Sequence, residues 1–490
     1  MTRRLLSGAL ALAVSIGSAA WAQGFPDEAF RGQRPTIGAP RAFQQPPVAR
    51  FNLPAGIEVV LVERHELPTV TVDLVFPGGA VGDPKGKEGL ARTCMSLMSQ
   101  GTEKLNKPAF EEAKSELAST VGAAAGNEEM SVELASLTKN LDATLDLWAD
   151  MLLHPGMRKD DLDRDIQRAI AQLAAQKGAA PSIAQRLGRS VFFGPNHPMG
   201  KLVTEASLKS ITTDDCKSFV KAWLKPGGAR LYVVGDVTQQ QLKDKLPARL
   251  AGWTGRVKPR PAPPAASPRT GGRIFFVDVP GAPQTMVMMG HPGPARQAKD
   301  YIPTDLAMEI FAGSFTSRVN TNLREDKGWT YGAGGALVYT RTRGMFVVSG
   351  AMKTENAAGA VREIVKELAT MLSTDVSDDE LERAKGAAIN ALPARFATGD
   401  AVAGSFRDLQ FYGLPLDYWA KYVPAVERVN KLAVRTAAKT NFKPKQALWL
   451  IVGDGKVVLP ELEKIVAEKL LPPGGIVKLD ADGNVLPPAK

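Results

Sequence analysis

Apolar residues recur along the chain with two periods. Short runs such as "VVLV" (59–62), "TVTVDLVFPGG" (69–79), "IFFV" (274–277) and "QTMVMMGHPGP" (284–294) are bounded by Gly, Pro and Asp. They read as strands. "ALVYTRTRGMFVVSGAM" (336–352) reads as a hairpin. Elsewhere the spacing is helical. Val361, Ile364, Val365, Leu368 and Leu372 predict a helix over 355–372, and "KDDLDRDIQRAIAQLAAQ" (159–176) predicts another. "SDDELERAKGAAINAL" (377–392) should start at Ser377, with its acids in the first turn. "GLARTCMSLMSQG" (89–101) predicts a short helix between glycine turns. Leu90, Ala91, Cys94, Met95, Leu97 and Met98 form its buried face, with Arg92 set among them. A buried charge is costly unless paired. Arg92 therefore calls for an acid, such as those at 160–165, or for a cavity filled with water.

The elements occur twice in the same order. Val59 and Ile274 open the two series 215 positions apart, and Pro77 and Pro292 keep that offset. A helix follows each strand pair, "GLARTCMSLMSQG" and "TDLAMEIFAGSF". Each series closes on a strand and turn, "LYVVGD" and "LWLIVGD", whose Gly235 and Gly453 are 218 apart. A near-constant offset at four landmarks indicates an internal duplication. Strands grouped with helices and hairpins predict an α+β class: two tandem homologous domains, each a mostly antiparallel sheet covered by helices.

The N-terminus departs from both periods. Arg3 and Arg4 precede an apolar run, and Ala20-Trp21-Ala22 stands before Gln23. This predicts a secretory signal peptide over 1–22 and a protein outside the cytoplasm. Its removal would lower the formal charge from +10 to +8, because it takes two arginines and no acid. Residues 23–50 are rich in Pro, Gly and Gln and predict an extended arm. Residues 253–272 predict a Pro-rich linker. The expected domains are 51–252 and 273–478, with a tail at 479–490. No later segment is long and apolar enough to span a bilayer. The basic residues alternate with acids and carry no interleaved aromatic patch, so nothing favours a nucleic-acid partner.

The catalytic inventory is sparse. Cys94 and Cys216 show no framework spacing and are expected to be unpaired thiols. The four histidines are His65, His154, His197 and His291, and none has a second histidine three or four positions away. His154, His197 and His291 precede proline and read as turn residues rather than metal ligands. No nucleophile elbow or phosphate-binding glycine loop occurs. The stretch "SRVNTNLREDKGWTYGAGG" (317–335) is the most suggestive. Its turn would let Arg324 and Tyr331 converge on one spot, a guanidinium for a carboxylate or carbonyl and a phenol for an oxyanion. On the residues alone, pairing of Arg324 with Glu325 or Asp326 and packing of Tyr331 in the sheet is the stronger reading.

Nearly all of residues 50–480 resembles the pitrilysin/insulinase-like inverted zinc peptidases and their inactive relatives, the processing-peptidase and respiratory-complex core subunits. The resemblance lies in the duplication and in "FPGGAVGDPKGKEGLA", "HPGM", "GPNHPMGKLVTEASLKSIT", "VVGDV" and "SRVNTNLREDKGWTYGAGG". It implies that the two domains form half of a clam-shell chamber. Active members carry H-x-x-E-H on the helix after "GLA", with a third ligand, a glutamate, roughly 75 residues further on. Here the motif falls on Arg92, Thr93, Cys94, Met95 and Ser96, and the third ligand on Ala171 or Gln172. The degenerate positions Arg92, Met95 and Ser96 imply no metal and no cofactor in this chain.

In the two-chain branch of the family, one subunit carries the zinc motif and the other an Arg/Tyr pair placed as Arg324 and Tyr331 are here. The resemblance therefore implies a periplasmic, non-zinc subunit that is inactive alone. Its partner would be a paralogous chain with H-x-x-E-H and zinc, its substrate a peptide added to an edge strand, and its Arg324 and Tyr331 would act in trans. The alternative is a catalytically inactive peptide-binding or scaffold protein of the same fold.

Overall fold

The first sheet is assembled from the strands of the first half. These are β1 (Ala49–Leu53), β2 (Ile57–Glu63), β3 (Thr69–Pro77), β4 (Thr120–Ala125), β5 (Glu129–Leu137) and β6 (Arg230–Gly235). They lie in the order β1-β2-β6-β3-β5-β4. Neighbours are antiparallel except β2 and β6, which run parallel with Glu58 opposite Arg230. The second sheet contains β7 (Ile274–Asp278), β8 (Gln284–Gly293), β9 (Thr330–Tyr339), β10 (Gly344–Lys353), β11 (Leu448–Gly453) and β12 (Ile476–Leu479). Its order is β12-β7-β11-β8-β10-β9, with β7 parallel to both β11 and β12. These are coordinates of a computed structural model that describes residues 42–257, 264 and 266–487. The expected signal peptide and residues 23–41 lie outside the described residues.

The duplication is therefore one of topology: β2, β6, β3, β5 and β4 hold the places of β7, β11, β8, β10 and β9. The copies differ at one edge. The first is completed by the antiparallel β1, which begins inside the expected arm. The second is completed by the parallel β12, which spans the expected boundary at 478. Both are short, half-buried edge strands beside proline-rich chain, too brief for an alternation to stand out.

Strand alternation fails at the centre of each sheet. β6 from Leu231 and β11 throughout are buried at every position. A strand buried on both faces reads as a continuous apolar run, and here the second face is covered by an exchange of helices. The helix Ala180–Phe193 of the first half lies across β8 and β11 of the second sheet. Its Ile183, Leu187 and Val191 join Phe275, Val277, Leu450 and Val452 in one apolar core. Gly290 makes room for it, since a Cβ there would stand 2.8 Å from the Phe192 ring. Reciprocally, the helix Gly399–Phe411 of the second half lies across β3 and β6 of the first sheet.

The two exchange contacts differ in chemistry. The first is apolar. The second carries Asp73, Tyr232 and Arg407. Arg407 reaches Asp73 at 3.0 Å and Glu129 at 2.9 Å, and Tyr232 donates to Gln410 at 2.6 Å. The C-terminal segment also crosses between halves: Arg186 donates to the Ala481 carbonyl at 2.6 Å and Lys177 pairs with Asp482 at 2.7 Å. Residues from Gln44 onward consequently form one compact unit. No helix among the described residues is long and apolar enough to cross a membrane.

Candidate functional site

The helix Leu90–Met98 follows Gly89, whose φ of 102° is the left-handed conformation that glycine adopts freely. Asp83 caps the helix start. Its carboxylate accepts from the backbone N–H of Gly89 at 2.8 Å and of Ala91 at 2.9 Å. Cys94 is joined to Cys216, on the helix Thr213–Trp223, with 4.9 Å between the Cα atoms. The expectation of two free thiols is corrected. The two helices meet only in the folded chain, and a separation of 122 positions gives no hint of that contact.

Arg92 is exposed and does not share the buried face. Leu90, Ala91, Cys94, Met95, Leu97 and Met98 point into the core, whereas Arg92, Thr93 and Ser96 occupy the opposite arc of the helix. Arg92 donates to Asn127 Oδ1 at 3.0 Å, in the turn between β4 and β5. It is Ser96 that reaches the helix Lys159–Gln176, donating to Asp165 at 3.0 Å. Arg92 therefore faces open space and pairs with none of the acids at 160–165.

Two adjoining hollows of about 430 Å³ each lie over this arc. Arg92, Ser96 and Gln172 line one of them together, so the helix pairing that would bring a third ligand to the motif persists, with Gln172 rather than Ala171 at the wall. The donors do not suit the zinc ion that this motif holds elsewhere. A guanidinium is a permanent cation, a hydroxyl and an amide are poor zinc donors, and Met95 is fully buried. Among the described residues no three His, Cys, Asp or Glu side chains cluster for a metal.

The histidines have other duties. His197 opens a proline turn, stacks on Phe193 at 5.1 Å and bonds to the Pro264 carbonyl at 2.9 Å. His291 is not in a turn, as its proline suggested, but in β8, buried and stacked 4.4 Å from Phe346. Its Nε2 accepts from the Lys443 N–H at 3.1 Å, which leaves Nδ1–H to donate to the Pro292 carbonyl at 2.9 Å. Burial holds its pKa down at about 4, so it is neutral at pH 7.

In the second half, "SRVNTNLRED" winds as a short helical segment, loosened over Thr321–Asp326, and passes through Gly328 into β9. Three of its residues anchor inward. Arg318 binds Glu380 through two bonds of 2.7 and 2.8 Å. Asn322 donates to Glu363 and Glu367, and Asn320 accepts from the Ala333 N–H. These anchors were not singled out in the sequence, because polar residues set between buried Val319 and Leu323 carry no signal of their distant partners. Arg324 points outward, 3.4 Å from Glu325 and 4.3 Å from the Phe315 ring centroid. Tyr331 is 92% exposed on edge strand β9 and does not pack in the sheet. The two side chains flank one helix-to-strand turn, and no hydrogen bond joins them.

Residues 58–192 match the family described as insulinase (peptidase family M16), and residues 210–387 match the peptidase M16 inactive domain. The chain is 22% identical over 414 residues to a Helicobacter pylori protein named non-peptidase homolog YmxG, covering 82% of this chain and 93% of that one. The structure of a peptidase M16 inactive domain from Pseudomonas fluorescens superposes with a TM-score of 0.76 at 22% identity, over 83% of this chain and 98% of that one. The periplasmic protease PqqL from Escherichia coli gives a TM-score of 0.67 at 16% identity, over 86% of this chain and 47% of that one. Two matched models along the chain and the doubled topology agree: this chain belongs to the insulinase (M16) peptidase family.

Proposed function

We propose that this chain is the non-zinc subunit of a periplasmic, two-chain insulinase-like peptidase and is inactive alone. The observation that carries the reading is Tyr331, a phenol left 92% exposed on an edge strand beside an outward Arg324, in a chain whose own motif cannot hold zinc. A large aromatic exposed next to an arginine is the composition of an interaction surface rather than of a solvated one.

In this reading a peptide adds its backbone to the free edge of a sheet in the shared chamber. Tyr331 donates a hydrogen bond to the oxygen that becomes negative as the scissile carbonyl turns tetrahedral. Arg324 holds a backbone carbonyl or a carboxylate of the same peptide with its fork of N–H donors. The inward bonds of Arg318, Asn320 and Asn322 hold the backbone from which both side chains project. The metal and the general base belong to the paralogous subunit with an intact H-x-x-E-H.

The test is to express this chain with such a paralogue, isolate the complex by size exclusion and assay peptide cleavage. Activity of the pair but of neither chain alone supports the reading. A stable complex whose turnover ignores Tyr331→Phe, or the absence of any complex, supports the catalytically inactive scaffold instead.

A further inference from the structure

The hollow over the degenerate motif is cationic. Arg92, Arg186, Arg189 and Lys201 line it with Asp83 and Glu88. Most of these charges are engaged. Arg186 is held by Asp482 and the carbonyls of Ala481 and Val203, and Lys201 donates to the Asp83 carbonyl. The Asp83 carboxylate caps the motif helix, and Glu88 accepts from the Gly86 N–H. Two guanidinium groups remain. Arg92 uses one N–H on Asn127, and Arg189 makes no hydrogen bond or ion pair with any described residue. Arg189 and Arg92 both line this hollow. Two like charges facing one cavity repel each other, and an anion between them would relieve that.

The wall also says which anion. Leu173, Met199, Leu202 and Val203 supply apolar surface beside the arginines, and Gln176 and Gln185 supply amides. A volume of about 430 Å³ exceeds a bare oxyanion and accommodates an amino-acid residue with its carboxylate. The geometry points to a binding site for the C-terminal carboxylate of a peptide, held between Arg92 and Arg189 with its last side chain on Leu173, Met199, Leu202 and Val203. This hollow adjoins the one lined by Ser96 and Gln172 and shares Arg92 with it. This inference does not depend on the role proposed for Arg324 and Tyr331, since it concerns binding by the chain alone.

The experiment is calorimetric titration of the isolated chain with N-acetyl-Ala-Leu, with its C-terminal amide and with inorganic phosphate. The free acid should bind at least about tenfold more tightly than the amide, and more weakly as salt rises. Phosphate should bind more weakly than the acid, because it gains nothing from the apolar wall. Arg189→Gln and Arg92→Gln should each lower affinity by about tenfold or more, and Arg189→Lys should fall between because it keeps the charge and loses the fork. Arg189 makes no hydrogen bond or ion pair with a described residue, so its variants should fold, as circular dichroism would verify. Equal affinity for acid and amide, no binding of the acid at millimolar concentration, phosphate binding as tightly as the acid, or affinity unchanged in both Gln variants would overturn the assignment.

Discussion

Cys94 and Cys216 are joined across 122 positions of chain, so the degenerate motif helix is bolted to the helix Thr213–Trp223. Removing a native disulfide costs about 2–5 kcal/mol. The Cys94→Ala/Cys216→Ala variant should therefore unfold at lower guanidinium concentration than the oxidised protein, and reductant should reproduce the shift. Two free thiols titrated in the native protein would refute the pairing.

A second prediction concerns Arg407. It is the cation of a partly buried cluster in which it bonds Asp73 and Glu129 across the two halves. Removing one partner of such a group strands the others, at about 3–5 kcal/mol. Arg407→Ala should lower the unfolding free energy by that order, whereas Arg435→Ala, which breaks a more exposed pair with Asp375, should cost less than about 1 kcal/mol.

Burial pushes the Asp73 pKa up to about 6, against the pull of Arg407. The folded protein then holds a proton that the unfolded chain, with an ordinary carboxyl near 3.8, has released. The resulting stability is fully present below about pH 4 and is lost as pH rises through 6. Relative to Asp73→Asn, the parent should gain on the order of 3 kcal/mol between pH 7 and pH 4. A difference that stays constant with pH would contradict this.

His291 has the opposite sign. Its folded pKa of about 4 lies below the usual 6.5 because the ring is buried. Its contribution is present above pH 6.5 and is lost as pH falls toward 4, when a proton on Nε2 displaces the Lys443 N–H. Glutamine at 291 cannot titrate. His291→Gln should therefore lose less stability than the parent between pH 6.5 and 4.5 in denaturant titrations, and parallel pH profiles would count against the neutral ring.

Tyr331→Phe should leave the melting temperature of this chain unchanged, because the hydroxyl is in solvent. With the zinc-bearing paralogue, the same substitution should lower turnover by about 10²–10³, the usual cost of one oxyanion donor, with little change in KM. A change in KM alone would move Tyr331 from the oxyanion to ground-state binding.

Much of the local structure was legible. The helix Lys159–Gln176 has the bounds its spacing suggests, and Ser377 caps the helix Asp378–Asn390 through a reciprocal bond with Glu380. The hairpin of β9 and β10 lies where its alternation placed it. Arg92 was misjudged, although the helical period already sets it with Thr93 and Ser96 on the arc opposite the six apolar residues. His291 was misjudged because a proline after it suggested a turn, whereas β8 continues to Gly293.

The sequence by itself determined the periods, the caps and the repeat, all of which are local or countable. Only the tertiary structure decided that the helix Ala180–Phe193 covers the other half's sheet, that Gly399–Phe411 returns the exchange, that Cys94 meets Cys216, and that Arg92 shares a hollow with Arg189. The physical reason is that apolar burial has no direction. A helix's pattern states how much of its surface must leave water, and which surface receives it is chosen by the fit of the whole chain.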